Sequence, residues 1–83
     1  MRYSVELTEN AFNFLKKLDK NQRVRIRNKI KKLENNPQLG KPLTASLAGT
    51  WSLRIGKYRA IYEIVNKKLI IFVLRIGARK NIY

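Results

Sequence analysis

Any chemistry in this chain must come mainly from positively charged side chains. The 83 residues include 19 Lys and Arg against 5 Asp and Glu, with no Cys and no His. The missing thiols and imidazoles exclude disulfides, thiol nucleophiles, and zinc or haem ligation through Cys or His. Acid–base chemistry is left to Lys, Arg, Tyr, a carboxylate, a hydroxyl or water. We therefore expect neither a metal nor a cofactor.

Two arginines are predicted to lie opposite each other in a β-hairpin. Residues 50–62, TWSLRIGKYRAIY, alternate in the manner of a β-hairpin, with Gly56-Lys57 as a two-residue turn. That turn sets Arg54 directly opposite Arg59 on one face, and like charges so placed are destabilising. The two side chains either point apart into water or hold a phosphate group, which a guanidinium can bind through two parallel hydrogen bonds.

The face that carries these arginines is also partly apolar. Ser52 and Ile61 share it, because side chains alternate between the faces of a sheet. A two-residue turn at Asn66-Lys67 would bring residues of the last strand to the same face, namely Phe72, Leu74 and, at its end, Ile76. We expect Ile61, Phe72 and Leu74 to form an apolar surface that binds a partner protein.

Further cations flank this face in the sequence. Arg79 and Lys80 follow the last apolar segment, and Tyr83 is near enough in sequence to join them. Together with the paired arginines they are suited to line a basic groove for a phosphate backbone. The alternatives are a solvated basic surface and, for Tyr83, a frayed end of the chain.

The distribution of charge favours acidic partners. The formal net charge is +14, no acidic residue lies between Glu34 and Glu63, and none follows Glu63. Such a chain attracts nucleic acid, an anionic membrane surface or an acidic protein. No apolar run approaches the roughly 18 residues that span a membrane. The first ten residues lack the apolar core of a signal peptide, so a cytoplasmic location is expected.

The first half of the chain predicts a strand and two helices. RYSVEL alternates like a strand, and Thr8 can cap a helix that places Ala11, Phe14, Leu15 and Leu18 on one face. Asp19 followed by Gln22 resembles a capping box for a second helix ending near Asn35. Its apolar seam is narrow, consisting of Ile26, Ile30 and Leu33, and most of its other residues are basic.

Three apolar segments then complete the predicted fold. They are Thr50–Ile55, Tyr58–Val65 and Leu69–Ile76, preceded by a loop over residues 36–49. They indicate an antiparallel meander. The order is β-α-α-β-β-β, an α+β fold in which an N-terminal strand and a helical hairpin pack on a largely antiparallel sheet. The length favours a single domain spanning residues 1–83.

The second half of the chain resembles the RelE/ParE superfamily of toxin–antitoxin toxins. The resemblance rests on Leu-x-Gly at 47–49, on Arg-x-Gly-x-Tyr-Arg-x-x-Tyr at 54–62 and on Gly-x-Arg-x-x-x-Tyr at 77–83. The N-terminal half agrees with the superfamily in its layout. The resemblance implies the toxin of a type II module. In the RelE branch such toxins are ribosome-dependent endoribonucleases that cut messenger RNA in the ribosomal A site.

The reaction that the resemblance implies needs no metal. A ribose 2′-OH attacks the adjacent phosphorus, leaving a 2′,3′-cyclic phosphate and a 5′-OH. By position, Arg59 would contact the scissile phosphate, and Arg54 would be the basic residue of the preceding strand. Arg79 would neutralise the phosphate or support the leaving oxygen, and Tyr83 would stack on a base or position the nucleotide. These four residues are the expected catalytic set.

Further RNA contacts are expected from residues near this face and from the basic second helix, and Lys57 and Lys80 match no family position. The RNA-binding residues would be Ser52, Lys57, Lys80, Arg25, Lys29 and Lys32. RelE-like nucleases often carry a basic residue where this chain has Ser52, so the general base is unassigned. The expected partners are ribosome, mRNA and a small acidic, RelB-like antitoxin in a higher-order toxin–antitoxin assembly, and no membrane. Two alternatives stay open: a ParE-like inhibitor of DNA gyrase, and a non-catalytic basic module that binds nucleic acid.

Overall fold

In the computed structural model, which describes residues 2–80, the chain folds into two α-helices and a five-stranded sheet. The elements are β1 Ser4–Leu7, α1 Glu9–Lys16, α2 Lys20–Lys31, β2 Lys41–Pro42, β3 Trp51–Ile55, β4 Tyr58–Val65 and β5 Ile70–Ala78. The predicted α+β class is confirmed. Tyr83 lies outside the described residues, so its predicted role stays a prediction.

Both helices begin where the sequence places their caps. The Thr8 side chain accepts a hydrogen bond from the backbone N–H of Ala11 at 3.2 Å, and Asp19 accepts one from that of Gln22 at 2.9 Å. Each bond satisfies an N–H group that a helix start leaves without a partner. A 3-10 turn at Lys32–Glu34 continues α2, and the chain then leaves the helix before Pro37.

The sheet has the strand order β1-β5-β4-β3-β2. β1 runs parallel to β5, and the other neighbours are antiparallel. The predicted fold had four strands, and the additional one is β2, which lies within the segment predicted to be a loop. It is two residues long and pairs with β3, with Lys41 opposite Ser52. Such a short strand, half of it proline, has no periodicity from which it could be predicted.

The β3–β4 hairpin has the predicted register. Gly56 adopts a positive φ of 59°, and Ile55 pairs with Tyr58 across the two-residue turn. Glycine reaches this backbone conformation without the steric cost that a Cβ imposes. Arg54 therefore lies directly opposite Arg59.

The predicted two-residue turn at Asn66-Lys67 is wrong. A 3-10 turn at Asn66–Lys68 and Leu69, which has a φ of 54°, connect β4 to β5, so that Val65 pairs with Ile70. The connection is two residues longer than predicted, so the pairing register shifts by two. Side chains alternate between the faces of a strand with a period of two, so Phe72 keeps the predicted face. A bulge opposite Ile61/Tyr62 then shifts the register.

The predicted position of Ile76 on the face of Arg54 and Arg59 is wrong because of this bulge. Beyond it Ile76 pairs with Ala60, and the Ile76 side chain is 4% exposed in the hydrophobic core. The extra residue changes which side chains face the helices. The core lies between this sheet face and the helical seam of Ile26, Ile30 and Leu33, all buried as predicted. No helix of residues 2–80 has the length and apolar character needed to cross a membrane.

Candidate nucleic-acid interface

The paired arginines lie on the sheet face away from the helices, and they have different surroundings. Arg59 is half-buried and donates a hydrogen bond from Nη1 to the Ser52 hydroxyl at 3.2 Å. Ser52 sits on β3, two residues before Arg54, and is 5% exposed. Arg54 is exposed. The bond ties the Arg59 guanidinium to β3 at Ser52.

Tyr62 fixes the segment beside these arginines. Its hydroxyl donates to the Pro37 carbonyl at 2.7 Å and accepts from the Gly40 N–H at 3.0 Å. Burial raises the pKa of the Tyr62 phenol, although the hydrogen bond from Gly40 opposes that rise. A Cβ on Gly40 would lie 2.5 Å from the Ser52 carbonyl oxygen. Glycine therefore lets the segment approach β3 closely.

A hollow of about 400 Å³, here called the central hollow, lies between this segment and the hairpin. Ser52, Arg54 and Arg59 line it from the hairpin, Lys29 lines it from α2, and the residues 39–43 form its other side. Three of the predicted RNA-handling cations thus face one cavity. Its apolar surface comes from Leu39, Pro42, Leu43 and Leu53.

Arg59 also borders a second cavity, the terminal hollow, of about 530 Å³. Its other lining residues are Lys57, Ala78, Arg79 and Lys80. The backbone N–H of Arg79 donates to the Lys57 carbonyl at 2.9 Å, which fixes the end of β5 against the hairpin turn. The Lys57 ammonium lies 5.7 Å from the centre of the Tyr58 ring, within the range of a cation–π contact.

The third cavity, the helix hollow, brings α2 to the same surface. Its volume is about 320 Å³, and it is lined by Arg25, Asn28, Lys29, Lys32, Arg54, Ile55 and Gly56. A Cβ on Gly56 would lie 3.2 Å from an Arg25 guanidinium nitrogen. The glycine of the turn therefore leaves room for the arginine of the helix.

The three hollows share lining residues, and together they are here called the basic track. Lys29 and Arg54 border both the helix and central hollows, and Arg59 borders both the central and terminal hollows. No Asp or Glu is among the lining residues. The single ion pair of residues 2–80 joins Arg2 to Glu34, away from the track. A row of cations attracts an anionic chain more strongly than a single small anion.

Most of the predicted RNA-handling residues line this track. They are Arg25, Lys29, Lys32, Ser52, Arg54, Lys57, Arg59, Arg79 and Lys80. The part of the chain that the structure describes contains no cluster of three or more His, Cys, Asp or Glu side chains that could hold a metal ion.

The predicted apolar surface needs correction. Ile61 is 5% exposed, so it fills space between its neighbours and offers almost no area to a partner. Phe72 and Leu74 are half-buried and retain some exposed surface on or beside that face. Residues 2–80 expose large apolar side chains elsewhere, at Phe12, Val24, Leu39 and Leu47.

Sequence reasoning missed Lys41. It lies directly opposite Ser52 in the β2–β3 pair and lines the central hollow. Directly opposed residues of an antiparallel pair project to the same face, so Lys41 joins the face of Ser52 and Arg54. The sequence predicts a loop here, because nothing in the pattern NPQLGKPLTASLAG indicates a strand.

Comparison with known proteins agrees with this architecture. A family model described as the ParE toxin of the type II toxin–antitoxin system, parDE, matches residues 5–83. The chain belongs to the RelE/ParE family of toxins. A RelE-like toxin protein of Escherichia coli is 30% identical over 83 residues, which cover 98% of this chain and 87% of the relative. The mRNA interferase toxin RelE of E. coli K12 is 23% identical over the same shares of both chains.

A solved structure gives the same result for the fold. The toxin–antitoxin complex RelBE2 of Mycobacterium tuberculosis contains a chain that superposes with a TM-score of 0.88 at 33% identity. The superposition covers 95% of this chain and 100% of that one. This RelE/ParE chain is accordingly a type II toxin–antitoxin toxin.

Proposed function

We propose that this RelE/ParE toxin is a ribosome-dependent endoribonuclease that cleaves mRNA in the A site in the cytoplasm. The observation that carries the proposal is the track of three linked hollows, whose lining among residues 2–80 includes many cations and no Asp or Glu. A single-stranded RNA backbone fits such a track electrostatically. The mRNA interferase RelE among the relatives supports the same assignment.

The proposed reaction is attack by a ribose 2′-OH on the adjacent phosphorus. The 2′-OH gives up its proton to solvent water as the new bond forms, and the bond to the 5′-oxygen breaks. The leaving oxygen takes a proton from water to become a 5′-OH, and the other product ends in a 2′,3′-cyclic phosphate. Negative charge builds up on the non-bridging oxygens along the way. Arg59, at the junction of the central and terminal hollows, is positioned to bind them, with Arg54 on one side and Arg79 on the other.

The Ser52 hydroxyl is engaged by Arg59, so it orients the guanidinium and offers little to RNA directly. Arginine stays protonated in proteins, which excludes Arg54 and Arg59 as the base that accepts the 2′-OH proton. We therefore assign rate enhancement to charge stabilisation by the arginines and to the geometry in which the ribosome holds the mRNA. Tyr83 stays a proposed base-stacking residue on the sequence resemblance alone.

Primer extension on translating ribosomes tests the proposal. The wild-type protein should produce cuts within A-site codons, and Arg59→Ala should slow them by roughly a hundred- to thousandfold, the usual cost of removing one such donor. Arg79→Ala should also slow them. Lys68→Ala is the matched control, because it removes a charge from the β4–β5 turn, roughly 20 Å along β4 from Arg59 at about 3.4 Å per residue. The proposal fails if the wild type makes no A-site cuts or if Arg59→Ala cuts as fast as wild type.

A second candidate is inhibition of DNA gyrase. It is favoured by the family model, which is described as the ParE toxin. Purified gyrase with supercoiled DNA distinguishes the two functions. A gyrase poison would accumulate cleaved DNA complexes while leaving mRNA on ribosomes intact, whereas the nuclease would do the opposite.

We also propose an acidic antitoxin of the RelB type as partner. The +14 charge and the basic track, which has no Asp or Glu among its described lining residues, supply the complementary surface, and a relative with a superposable fold occurs in the RelBE2 complex. Phe72 and Leu74, rather than Ile61, would supply the apolar contacts. Co-expression with a short acidic protein encoded next to this one should suppress cleavage. The stoichiometric complex should elute from a cation-exchange column at a lower salt concentration than the toxin alone.

A further inference from the structure

We propose that Lys41 is a further RNA-phosphate-binding residue of the arginine site, acting with Arg54 and Arg59 in the central hollow. The inference rests on the proposed function, because it takes an RNA strand as the occupant of the hollow. Lys41 would add to this site a cation from outside the β3–β4 hairpin, carried by the two-residue strand β2.

The position of Lys41 follows from the sheet. Lys41 and Ser52 are Cα partners in the β2–β3 pair, and Ser52 and Arg54 project to the same face as Arg59. Opposed residues have Cβ atoms about 4.5–5.5 Å apart, so the lysine stem starts beside the hydroxyl that holds Arg59. A lysine side chain is long enough to reach a phosphate bound between the two arginines.

The segment that carries Lys41 is rigidly placed. Tyr62 holds both Pro37 and Gly40, and the close approach of Gly40 to Ser52 sets how near β2 lies to β3. Lys41 is the next residue after Gly40. The backbone beneath the ammonium is thereby fixed, which lowers the entropic cost of presenting the charge to a ligand.

Among residues 2–80, Lys41 makes no ion pair. Within residues 2–80 the one ion pair joins Arg2 to Glu34, and the lining of the central hollow contains no acidic residue. Lys41 is exposed, so its ammonium is accessible to a polyanion. A lysine on an edge strand also discourages pairing with another sheet. Edge protection requires only a charge on β2, whereas phosphate binding requires that Lys41 act together with Arg54 and Arg59.

The first experiment measures binding of a short single-stranded RNA over a range of salt concentrations. Lys41→Gln should weaken binding severalfold and reduce the slope of log affinity against log salt by about 0.7, the value for one lost phosphate contact on a single strand. Lys41→Arg should keep the slope, because it keeps the charge. Lys68→Gln, with the same charge change in the β4–β5 turn, should alter the slope by less.

A double-mutant cycle with Arg54→Gln separates a shared site from general attraction. If Lys41 and Arg54 hold the same phosphate, the second substitution should cost much less once the first is present. Arg54→Gln and Lys68→Gln should combine additively. Equal slopes for Lys41→Gln and Lys68→Gln, or an additive cycle for Lys41 and Arg54, would overturn the proposal.

Cleavage assays separate this proposal from the proposed function. With active wild-type protein, Lys41→Gln should slow A-site cutting at least tenfold, and Lys41→Arg should restore most of the rate. Wild-type rates in Lys41→Gln, with Arg59→Ala inactive, would remove Lys41 from the site and leave the nuclease function intact. If the wild type does not cut, the nuclease proposal fails, and the binding cycle still decides whether Lys41 and Arg54 share a phosphate.

Discussion

Removing the hydroxyl of Tyr62 should destabilise the protein more than any other loss of a single tyrosine oxygen among residues 2–80. Tyr62 is fully buried, and its hydroxyl makes two hydrogen bonds, to Pro37 at 2.7 Å and from Gly40 at 3.0 Å. Tyr62→Phe leaves the Pro37 carbonyl and the Gly40 N–H without that partner. Each such group costs about 1–3 kcal/mol where water cannot replace the bond.

The two groups together would cost about 2–6 kcal/mol, and the expected loss lies at the lower end of that range. Pro37 and Gly40 are half-buried, so water can reach part of the vacated space. We expect the free energy of unfolding to fall by about 2 kcal/mol, which is a large share of the stability of a small domain. The melting temperature should fall by roughly 10 °C, since about 1 kcal/mol shifts a domain of this size by about 4–8 °C.

Urea unfolding of three proteins measures this effect. Tyr3→Phe is the matched control, because the Tyr3 hydroxyl donates to the Asn66 side chain at 2.6 Å on the exposed surface. Its loss should change stability by less than about 0.5 kcal/mol. If Tyr62→Phe and Tyr3→Phe cost the same, the reasoning about the anchored segment is refuted.

Three further predictions concern pH, charge and backbone conformation. Burial raises the Tyr62 pKa above its unfolded value of 10, so above pH 10 the unfolded chain loses this proton more readily than the folded one. In urea titrations above that pH, the wild type should therefore lose stability more steeply than Tyr62→Phe. Arg54→Gln should raise the free energy of unfolding by about 0.2–1 kcal/mol by relieving its opposition to Arg59, and the gain should vanish near 1 M salt if it is electrostatic. Ala45→Gly, at a φ of 57°, should be neutral or stabilising by up to about 1 kcal/mol, whereas Ala48→Gly, at a φ of −56°, should destabilise by roughly 0.5–1 kcal/mol in the same thermal melts.

The sequence predicted the parts of the fold that depend on local signals. Thr8 and Asp19 marked both helix starts, and glycine in the two-residue turn determined the register that opposes Arg54 to Arg59. The arginine site was predictable for that reason, since a hairpin register follows from its turn.

The parts that were missed depend on contacts distant in sequence. Leu69 takes a left-handed conformation without being glycine or asparagine, so the second turn gave no signal. The bulge in β5 that moves Ile76 into the core is likewise a product of packing. Lys41 was missed because β2 exists only through its pairing with β3 and the anchor that Tyr62 provides.

The measurement that tests the central claim most directly is the chemical identity of the cut ends. Ribosomes carrying a defined mRNA are treated with the protein, and the fragments are analysed for their terminal groups. Transesterification by the basic track predicts a 5′-OH that polynucleotide kinase labels without prior phosphatase, and a 2′,3′-cyclic phosphate on the upstream fragment. Both products should be lost with Arg59→Ala. A 5′-phosphate on the downstream fragment, or no cleavage by the wild type, would contradict the account.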